Sequence, residues 1–391
     1  MISKRADSIQ DSITMAITAQ AKKMKQEGLN VLGFSAGEPD FDTPDRIKNA
    51  AIKAIQEGKT KYTPTSGIPE LKSAICDKFL KDDHLTYKPE NIVVSCGAKH
   101  SIFNVILALI NPGDEVIIPS PYWVSYPDQV NLAEGKPVII ETTDAAHFKI
   151  TPAQLQQAIT PRTKLLIINS PSNPTGSVYT KKELEAIADV VIKNNIVVLS
   201  DEIYEKLIYE GEKHTSIASL SDEMKKRTIV VNGVSKAYSM TGWRIGYIAA
   251  TKEIAAAADR IQSQSTSNAT SISQWASVEA LKSGDEPIGP MKIEFNKRRN
   301  YMVQTLNQIK GVSCLSPQGA FYTFPKVSAL YGKKVKNSDE FCKLMLEEAL
   351  VACVPGSGFG ADEHIRLSYA TSMNDIEEGL KRIKTWVETL D

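Results

Sequence analysis

The chain has 391 residues, and its 46 basic and 46 acidic side chains give a formal net charge of zero. This length corresponds to about 2.6 domains of 150 residues, so we expect two or three domains. The balanced charge gives no reason to expect a nucleic-acid or anionic-membrane partner. No apolar run approaches the ~20 residues of a membrane span, and the first residues lack the apolar core of a secretory signal.

The five cysteines are odd in number and include no Cys-x-x-Cys pair. This pattern argues against a disulfide framework or a zinc site and favours a reducing, cytoplasmic location. The five histidines are scattered without a metal-binding spacing. We therefore expect no metal centre.

Short runs rich in valine and isoleucine predict strands in the middle of the chain. They cover residues 91–96, 115–119, 137–142, 164–169, 196–200, 228–232 and 246–250. Helical patterns lie between several of them, at 98–110 and at 180–194, and the second opens with Thr180-Lys-Lys-Glu183, a capping box. Strands that alternate with helices indicate an α/β domain with a mostly parallel sheet.

Outside this region helical patterns predominate. They cover residues 1–28, 44–57, 252–282, 287–309, 338–350 and 374–390. Thr43 is the expected N-cap of the second of these helices and Gly58 its stop, and one further strand is predicted at 320–325.

The contrast between the middle and the two ends predicts two domains. We expect a large α/β domain over residues 45–285. A smaller α+β domain would be formed by residues 1–44 together with 286–391.

The most informative stretch runs from Gly233 to Gly246, with the sequence Gly-Val-Ser-Lys-Ala-Tyr-Ser-Met-Thr-Gly-Trp-Arg-Ile-Gly. Lys236 follows a predicted strand, at the carboxyl edge of the sheet where α/β folds bind ligands. Arg244 stands eight positions later. A lysine that loses water and lies near another cation becomes a neutral amine, which forms imines with carbonyl compounds.

This stretch resembles the lysine signature of the class I and II aminotransferases, the fold-type I enzymes that use pyridoxal 5'-phosphate. Other motifs fit the same family in the same order: Ala36-Gly-Glu-Pro-Asp-Phe, Lys61-Tyr62, Pro121-Tyr-Trp123, Asn173-Pro-Thr-Gly176, Ser200-Asp-Glu-Ile-Tyr204 and Arg366-Leu-Ser-Tyr. The resemblance covers nearly the whole chain and is greatest to the bacterial subgroup of aspartate aminotransferases. It implies a mostly parallel seven-stranded sheet covered by helices, beside a smaller α+β domain.

The resemblance also implies which residues bind the ring of the cofactor. Lys236 would supply the amine, and Asp201 would face the pyridine nitrogen, which must stay protonated for the ring to accept electrons. Tyr204 and Asn173 would reach the phenolate oxygen. Trp123 would stack on the ring and border the substrate.

The phosphate of the cofactor needs amides and positive charge. Gly97 and Ala98 stand at the start of a predicted helix, whose free N–H groups and dipole favour an anion. Arg244 would add a charged contact and Ser235 a hydroxyl. The family often has a hydroxyl three residues before the lysine, and the glycine at this position puts that one contact in doubt. Tyr62 resembles the tyrosine that reaches the phosphate of the neighbouring subunit's cofactor, which implies a homodimer with shared active sites.

For the substrate, Arg366 resembles the clamp for the α-carboxylate, and its planar fork suits a carboxylate. Asn173 and the backbone of Gly37 would share this contact. A second carboxylate would be costly to bury without a cation. Some family members supply an arginine in the region that matches residues 262–268, but this chain has neither arginine nor lysine there. The resemblance points instead to Lys99, with Ser12 and Thr14 as further hydroxyl donors.

We therefore expect transamination between L-aspartate and 2-oxoglutarate, which yields oxaloacetate and L-glutamate by a ping-pong mechanism. The nearest alternatives keep the cofactor but change the substrate or reaction: an aromatic or prephenate aminotransferase, or a carbon–sulfur lyase. Another alternative is a non-catalytic regulator with the same fold. The joint presence of Lys236, Asp201, Tyr204 and Arg366 argues against it, because a protein that only binds needs no such set.

Overall fold

A computed structural model describes residues 2–7, 9, 13–209, 211 and 213–390. Its strands, in chain order, are β1 (Leu32–Gly33), β2 (Ile92–Ser95), β3 (Glu115–Ser120), β4 (Lys136–Glu141), β5 (Thr163–Asn169), β6 (Val197–Asp201), β7 (Thr228–Gly233), β8 (Gly246–Ala249), β9 (Tyr322–Thr323), β10 (Val351–Ala352), β11 (Val354–Pro355) and β12 (Ile365–Ser368).

Its α-helices alternate with these strands and also extend beyond them. They are α1 (Lys4–Asp7), α2 (Ile13–Gln26), α3 (Asp45–Gln56), α4 (Pro69–Asp83), α5 (Ala98–Leu109), α6 (Ser125–Leu132), α7 (Pro152–Ala158), α8 (Lys181–Lys193), α9 (Asp222–Arg227), α10 (Lys252–Ser263), α11 (Ser271–Ser283), α12 (Gly289–Leu306), α13 (Ser338–Ala349) and α14 (Met373–Val387). Within the described part of the chain, none of these helices combines the length and the apolarity needed to cross a bilayer.

The central feature is a seven-stranded sheet with the order β2-β8-β7-β6-β5-β3-β4. Its strands are parallel except β8, which runs antiparallel to both β2 and β7. All seven predicted strands are present, each within two residues of its expected bounds. The predicted α/β class with a mostly parallel sheet is therefore confirmed.

Different helices cover the two faces of this sheet. Along β5, Leu165 and Ile167 pack in a cluster with residues of α5 and α10, whereas Leu166 and Ile168 pack with residues of α7 and α8. Successive residues of a strand point to opposite faces. Burial on both faces explains why these strands are continuous runs of valine and isoleucine.

The carboxyl edge of the sheet collects the polar residues that follow its strands. The parallel strands β5, β6 and β7 end at Asn169, Asp201 and Gly233, and Asn169 lies beside Asp201 in the register. Because β8 runs in the opposite direction, its first residue, Gly246, pairs with Gly233 at this same edge. Residues just after β7 and just before β8 therefore meet there.

The two ends of the chain form a second region. Strand β1 pairs in parallel with β10, and β11, β12 and β9 form a three-stranded antiparallel sheet. Helices α12 and α13 both pack against α14. Phe341 of α13 contacts Trp386 of α14 edge-on, with ring centroids 4.9 Å apart.

Several predicted details differ from the structure. Thr43 is not the N-cap of α3. Pro44 takes that position, and the Thr43 hydroxyl instead donates to the Ser239 carbonyl at 2.6 Å and accepts from Trp243 Nε1 at 2.9 Å.

The helix expected at 252–282 is two helices, α10 and α11, separated by a turn in which Ser267 has a φ of 60°. The helix expected at 1–28 is likewise divided into α1 and α2, and the strand at 320–325 shortens to β9.

The capping box at the start of α8 is present as predicted. The Thr180 hydroxyl accepts from the Glu183 amide at 3.3 Å, and the Thr180 amide donates to the Glu183 carboxylate at 2.7 Å. Local sequence was sufficient here because both partners lie within one turn.

Candidate active site

A cavity of about 460 Å³ opens at the carboxyl edge of β5, β6 and β7. Most of the residues that the motifs singled out border it: Gly37, Ala98, Lys99, Trp123, Asn173, Asp201, Tyr204, Ser235, Lys236, Arg244 and Arg366. Gly97 immediately precedes the first residue of α5 at the cavity wall. Tyr62 is the exception, since its side chain is 92% exposed and lies away from the cavity of its own chain.

Lys236 follows β7, and its amine points into the cavity. Its Nζ donates a hydrogen bond to the Gly37 carbonyl oxygen at 2.5 Å. Burial lowers the pKa of Lys236 to about 8, and the nearby Arg244 and Arg366 act in the same direction against Glu38 and Asp201. A substantial fraction of this amine is therefore neutral near physiological pH, so it can act as a base or nucleophile.

Asp201 is the last residue of β6 and is only 4% exposed. Its Oδ2 accepts from the Tyr126 hydroxyl at 2.7 Å, and its Oδ1 accepts from the Ile203 amide at 3.2 Å. Burial raises the pKa of Asp201 to about 6, although these two hydrogen bonds oppose the shift. Both donors are neutral, so a cationic group in the cavity would stabilise this carboxylate.

Tyr204 lies one turn beyond Asp201 and is buried against aromatic rings. Its hydroxyl is 2.7 Å from the Tyr322 hydroxyl, and its ring centroid is 5.8 Å from the Lys236 Nζ. Burial raises the pKa of Tyr204 well above its usual value. The phenol therefore keeps its proton and can donate it in a hydrogen bond.

One end of the cavity is built to hold an anion. Helix α5 begins at Ala98, directly after Gly97, which has a φ of 90°. A Cβ at Gly97 would lie 2.3 Å from Arg244 Nη2, so glycine is what allows the guanidinium to lie against the helix N-terminus. The free amides of the first helical turn and this guanidinium form an anion site, and Ser235 borders it.

Two backbone carbonyl groups hold the Arg244 side chain at this position. Its Nη1 donates to the Thr241 carbonyl at 2.8 Å, and its Nη2 donates to the Cys96 carbonyl at 3.3 Å. Gly246 contributes to the same packing, because a Cβ there would lie 2.2 Å from the Ala98 amide nitrogen. The close approach of β8 to α5 therefore depends on glycine.

Arg366, in β12, occupies the other end of the cavity and is only 2% exposed. Its Nη1 donates to Asn173 Oδ1 and its Nη2 to the Ser35 carbonyl, both at 2.9 Å. Its buried Nε finds no hydrogen-bond partner among the described residues. Burial lowers the pKa of Arg366 from its ordinary value, yet a guanidinium keeps its charge in proteins. A buried cation with a free donor is suited to a carboxylate ligand.

Lys99, in the first turn of α5, completes the positive lining. Its Nζ lies 4.9 Å from the centre of the Trp123 ring. Burial lowers the pKa of Lys99, as does Arg244, while Asp128 opposes the shift. Ser12 and the side chain of Thr14, expected beside it, lie outside the described residues.

Sequence reasoning missed three contributors to this site. Tyr126 is bonded to Asp201, Tyr322 to Tyr204, and the Ser35 carbonyl to Arg366. Tyr126 stands three residues after Trp123, so the family motif that ends at the tryptophan offered a signal. A backbone carbonyl and a lone tyrosine offered none.

A buried charged cluster lies under the segment that carries Asp201 and Tyr204. It consists of Asp83, Glu202, Glu205 and His214, whose ligand atoms lie within 4.8 Å of one another. Lys78 Nζ lies among them, 3.0 Å from Asp83 and 2.6 Å from Glu205. The ammonium supplies a cation to Asp83 and Glu205, while Glu202 is bound by His214, Ser200 and Ser216.

Comparison with known proteins decides the family. The family model described as aminotransferase class I and II matches residues 30–383. The chain belongs to this family. The aspartate aminotransferase of Geobacillus stearothermophilus is 52% identical to it over 390 residues, which cover 99% of each protein. An aspartate/prephenate aminotransferase of Nitrosomonas europaea is 49% identical over 390 residues, covering 98% of each.

Solved aminotransferase structures share the fold. The crystal structure of the aspartate aminotransferase from Rhizobium meliloti has a TM-score of 0.96 at 44% identity and covers 99% of each chain. The aspartate aminotransferase from Thermus thermophilus with maleate has a TM-score of 0.94 at 41% identity, over 98% of this chain and 99% of that chain. The family and the fold-type I architecture expected from the motifs are therefore confirmed.

Proposed function

We propose that this aminotransferase uses pyridoxal 5'-phosphate to transfer the amino group of L-aspartate to 2-oxoglutarate, which yields oxaloacetate and L-glutamate. The observation that carries the proposal is one cavity bordered by the Lys236 amine, the Asp201 carboxylate and the Arg366 guanidinium. The Lys236 amine can react with the aldehyde of the cofactor. The Asp201 carboxylate can pair with a protonated pyridine, and the Arg366 guanidinium can bind the carboxylate of an amino acid.

The residues around the cavity fit the proposed cofactor. Arg244 lies against the N-terminus of α5 where Gly97 leaves room for it, which suits a phosphate. At the other side of the ring site, the buried Asp201 carboxylate receives hydrogen bonds only from neutral donors. A pyridinium N–H would supply the missing positive charge, and Trp123 offers a flat face beside it.

When bound, pyridoxal phosphate supplies an aldehyde that takes up an amino group and a protonated ring that draws electrons from the substrate Cα. Asp201 holds the proton on the ring nitrogen. Arg366 binds the α-carboxylate and so orients the Cα–H bond. Lys236, whose pKa burial lowers to about 8, would carry the proton from the substrate Cα to the C4′ carbon of the cofactor, and in the opposite half-reaction from that carbon back to Cα.

Specificity for a dicarboxylate rests on Lys99 in this proposal. Its ammonium borders the cavity at the Trp123 face, where a second carboxylate of the substrate would otherwise lack a cation. The solved Thermus thermophilus relative contains maleate, a dicarboxylate, which supports this substrate class.

Prephenate is a second candidate acceptor. The Nitrosomonas europaea relative, 49% identical, is named as an aspartate/prephenate aminotransferase. Prephenate also has two carboxylates, and a lysine on a flexible stem can follow a second carboxylate at a different distance from the first. Assay of the purified protein with prephenate as the amino acceptor tests this directly.

Three further features belong to the proposal. The active unit would be a homodimer in which Tyr62 reaches the partner's cofactor, and its 92% exposure in the single chain is compatible with that role. The domains would be residues 45–285 and residues 1–44 with 286–391, a division supported by the separate sheets of the two regions. A cytoplasmic location is supported by five cysteines that form no disulfide.

The central experiment adds single amino acids to the protein loaded with pyridoxal phosphate and follows the absorbance of the bound aldehyde. Aspartate and glutamate should remove that absorbance, and 2-oxoglutarate should restore it. The Lys236→Ala variant should still bind the cofactor through its phosphate but should lose transamination. Near-normal turnover by Lys236→Ala, or a spectrum unchanged by any amino acid, would refute the proposed function.

A further inference from the structure

Tyr322, on β9, is a tyrosine of the cavity wall that no motif singled out. It is 0% exposed to solvent and borders the cavity. It contacts both Tyr204 and Arg366, which face the cofactor and the substrate in the proposed function.

The hydroxyl of Tyr322 lies 2.7 Å from that of Tyr204. Burial raises the pKa of both phenols, so each keeps its single proton near neutral pH. When Tyr204 donates its proton to the ring oxygen of the cofactor, Tyr322 must be the donor in the tyrosine pair. A chain of hydrogen bonds in one direction polarises each member, which strengthens the bond that Tyr204 makes.

The ring of Tyr322 has a separate contact. The Arg366 guanidinium carbon lies 4.5 Å from the ring centre, within the range of a cation–π interaction. The guanidinium carbon also lies 5.1 Å from the centre of the Phe359 ring, and its two terminal nitrogens donate to the oxygens of Asn173 and Ser35. The Tyr322 ring, together with Phe359, therefore restricts the plane of the guanidinium while leaving the Nε donor free.

Gly37 makes room for this arrangement. A Cβ at Gly37 would lie 3.2 Å from the Tyr322 hydroxyl oxygen, which is tighter than ordinary contact. The carbonyl of the same glycine accepts the hydrogen bond from Lys236. Tyr322 is thus held between the segment that binds the amine and the residue that binds the carboxylate.

We propose that Tyr322 is a positioning residue that acts on both Tyr204 and Arg366. Its hydroxyl donates to Tyr204 and holds that phenol toward the cofactor oxygen, and its ring holds Arg366 in the plane that receives the substrate α-carboxylate. The inference rests on the proposed function, in which Tyr204 faces the cofactor and Arg366 faces the substrate.

Two variants separate the two roles. Tyr322→Phe removes the hydroxyl and keeps the ring, so kcat should fall by about 3- to 10-fold, the range of one hydrogen bond, while the KM for aspartate changes by less than about twofold. The pH at which bound pyridoxal phosphate changes its absorbance should rise by roughly half a unit, because a weaker donor stabilises the deprotonated form less. Tyr322→Leu removes both contacts, so the KM for aspartate should also rise, by on the order of tenfold.

Controls distinguish positioning from a structural role. Tyr209 is another buried tyrosine, whose hydroxyl donates to the Ala320 carbonyl away from the cavity. Tyr209→Phe should leave kcat, KM and the absorbance titration unchanged. In a Tyr204→Phe background, Tyr322→Phe should have no further effect on the titration, because the bond it supports is already absent.

Each outcome decides a part of the inference. A Tyr322→Phe protein with the wild-type titration and kcat would overturn the hydroxyl role, and equal KM values for the two variants would overturn the ring role. If Tyr322→Leu fails to fold, Tyr322→Met, which fills a similar volume without a π face, replaces it. Wild-type protein that shows no cofactor absorbance or no response to aspartate would refute the proposed function itself.

Discussion

Burial shifts the pKa values of Lys236 and Asp201 toward each other. The pKa of the lysine falls from 10.5 to about 8, and that of the aspartate rises from 3.8 to about 6. Each shift costs folding free energy, because the charged form of each group is the one that burial disfavours. The shift at Lys236 also places a base near the working pH, which is what removal of the substrate Cα proton requires.

The cost at Asp201 is measurable as a pH dependence of stability. A carboxyl whose pKa is raised on folding contributes stability below its unfolded value of 3.8, and that contribution is lost as the pH rises through about 6. For the cofactor-free protein, the free energy of unfolding of wild type minus that of Asp201→Asn should therefore fall by about 2 kcal/mol from pH 4 to pH 7. Chemical denaturation at a series of pH values measures this difference, and parallel curves for the two proteins would contradict it.

Lys99 offers a test of substrate class. Lys99 is exposed to solvent, and a charge pair that keeps contact with water contributes up to about 1 kcal/mol. Lys99→Ala should therefore reduce kcat/KM for aspartate and 2-oxoglutarate by about fivefold, and reduce it much less for an uncharged amino acid such as phenylalanine.

The matched control for this test is Lys225, whose Nζ lies 5.0 Å from the Tyr87 ring outside the cavity. Lys225→Ala should affect both substrate types equally little. Equal losses for aspartate and phenylalanine in Lys99→Ala would show that Lys99 does not bind the distal carboxylate.

At the scale of elements, the strands were predictable because burial on both faces leaves a clear run of apolar residues. Strand β8 is a short buried run like its neighbours, and nothing in its sequence indicated that it runs antiparallel to them. For Thr43 the local signal was present but misleading. Threonine is a good N-cap residue, yet the Thr43 hydroxyl bonds to Ser239 and Trp243, nearly 200 positions away. Local preference is a weak predictor when a long-range partner is available.

The sequence predicted the site through one strand end and the family motifs. Lys236 was expected at the carboxyl edge because it follows a predicted strand, and the motifs added Asp201, whose strand β6 lies beside β7. The Ser35 carbonyl and Tyr322 were not predicted, because a backbone oxygen has no residue signature and β9 has only two residues.

Adding one methyl group at Gly246 tests whether the close packing of β8 against α5 is needed for cofactor binding. In Gly246→Ala the new Cβ would lie 2.2 Å from the Ala98 amide nitrogen, so the helix N-terminus must move. We expect a stability loss of about 1–3 kcal/mol and a Kd for pyridoxal phosphate that rises on the order of tenfold. Absorbance titration with the cofactor and thermal unfolding measure the two effects.

Gly289, the first residue of α12, is the control, because outside its own helix and chain neighbours no described atom lies within 4 Å of a Cβ built there. Gly289→Ala should leave cofactor affinity unchanged. If Gly246→Ala also kept wild-type affinity, the helix terminus would not be what binds the phosphate.

At the scale of the whole molecule, the proposed homodimer predicts complementation between two inactive proteins. Tyr62→Ala lacks the contact to the partner's cofactor, and Lys236→Ala lacks the amine of its own site. A hybrid dimer has one site with both residues intact, so an equal mixture refolded together should regain about a quarter of wild-type activity.

Each variant refolded alone provides the control and should stay inactive. Sizing of the wild-type protein should give a dimer. A fully active monomer, or a mixture that regains nothing, would contradict shared sites.

The hydrogen bond between Arg366 and the Ser35 carbonyl joins residues 331 positions apart, and β1 reaches equally far to pair with β10. A ribosome releases the strands of the large sheet well before it releases either β10 or β12. Since domains fold as units while synthesis proceeds, a growing chain can assemble the edge that carries Asp201 and Lys236 before Arg366 exists. Under the proposed function, the nascent chain would therefore form the residues that hold the cofactor before those that hold the amino acid.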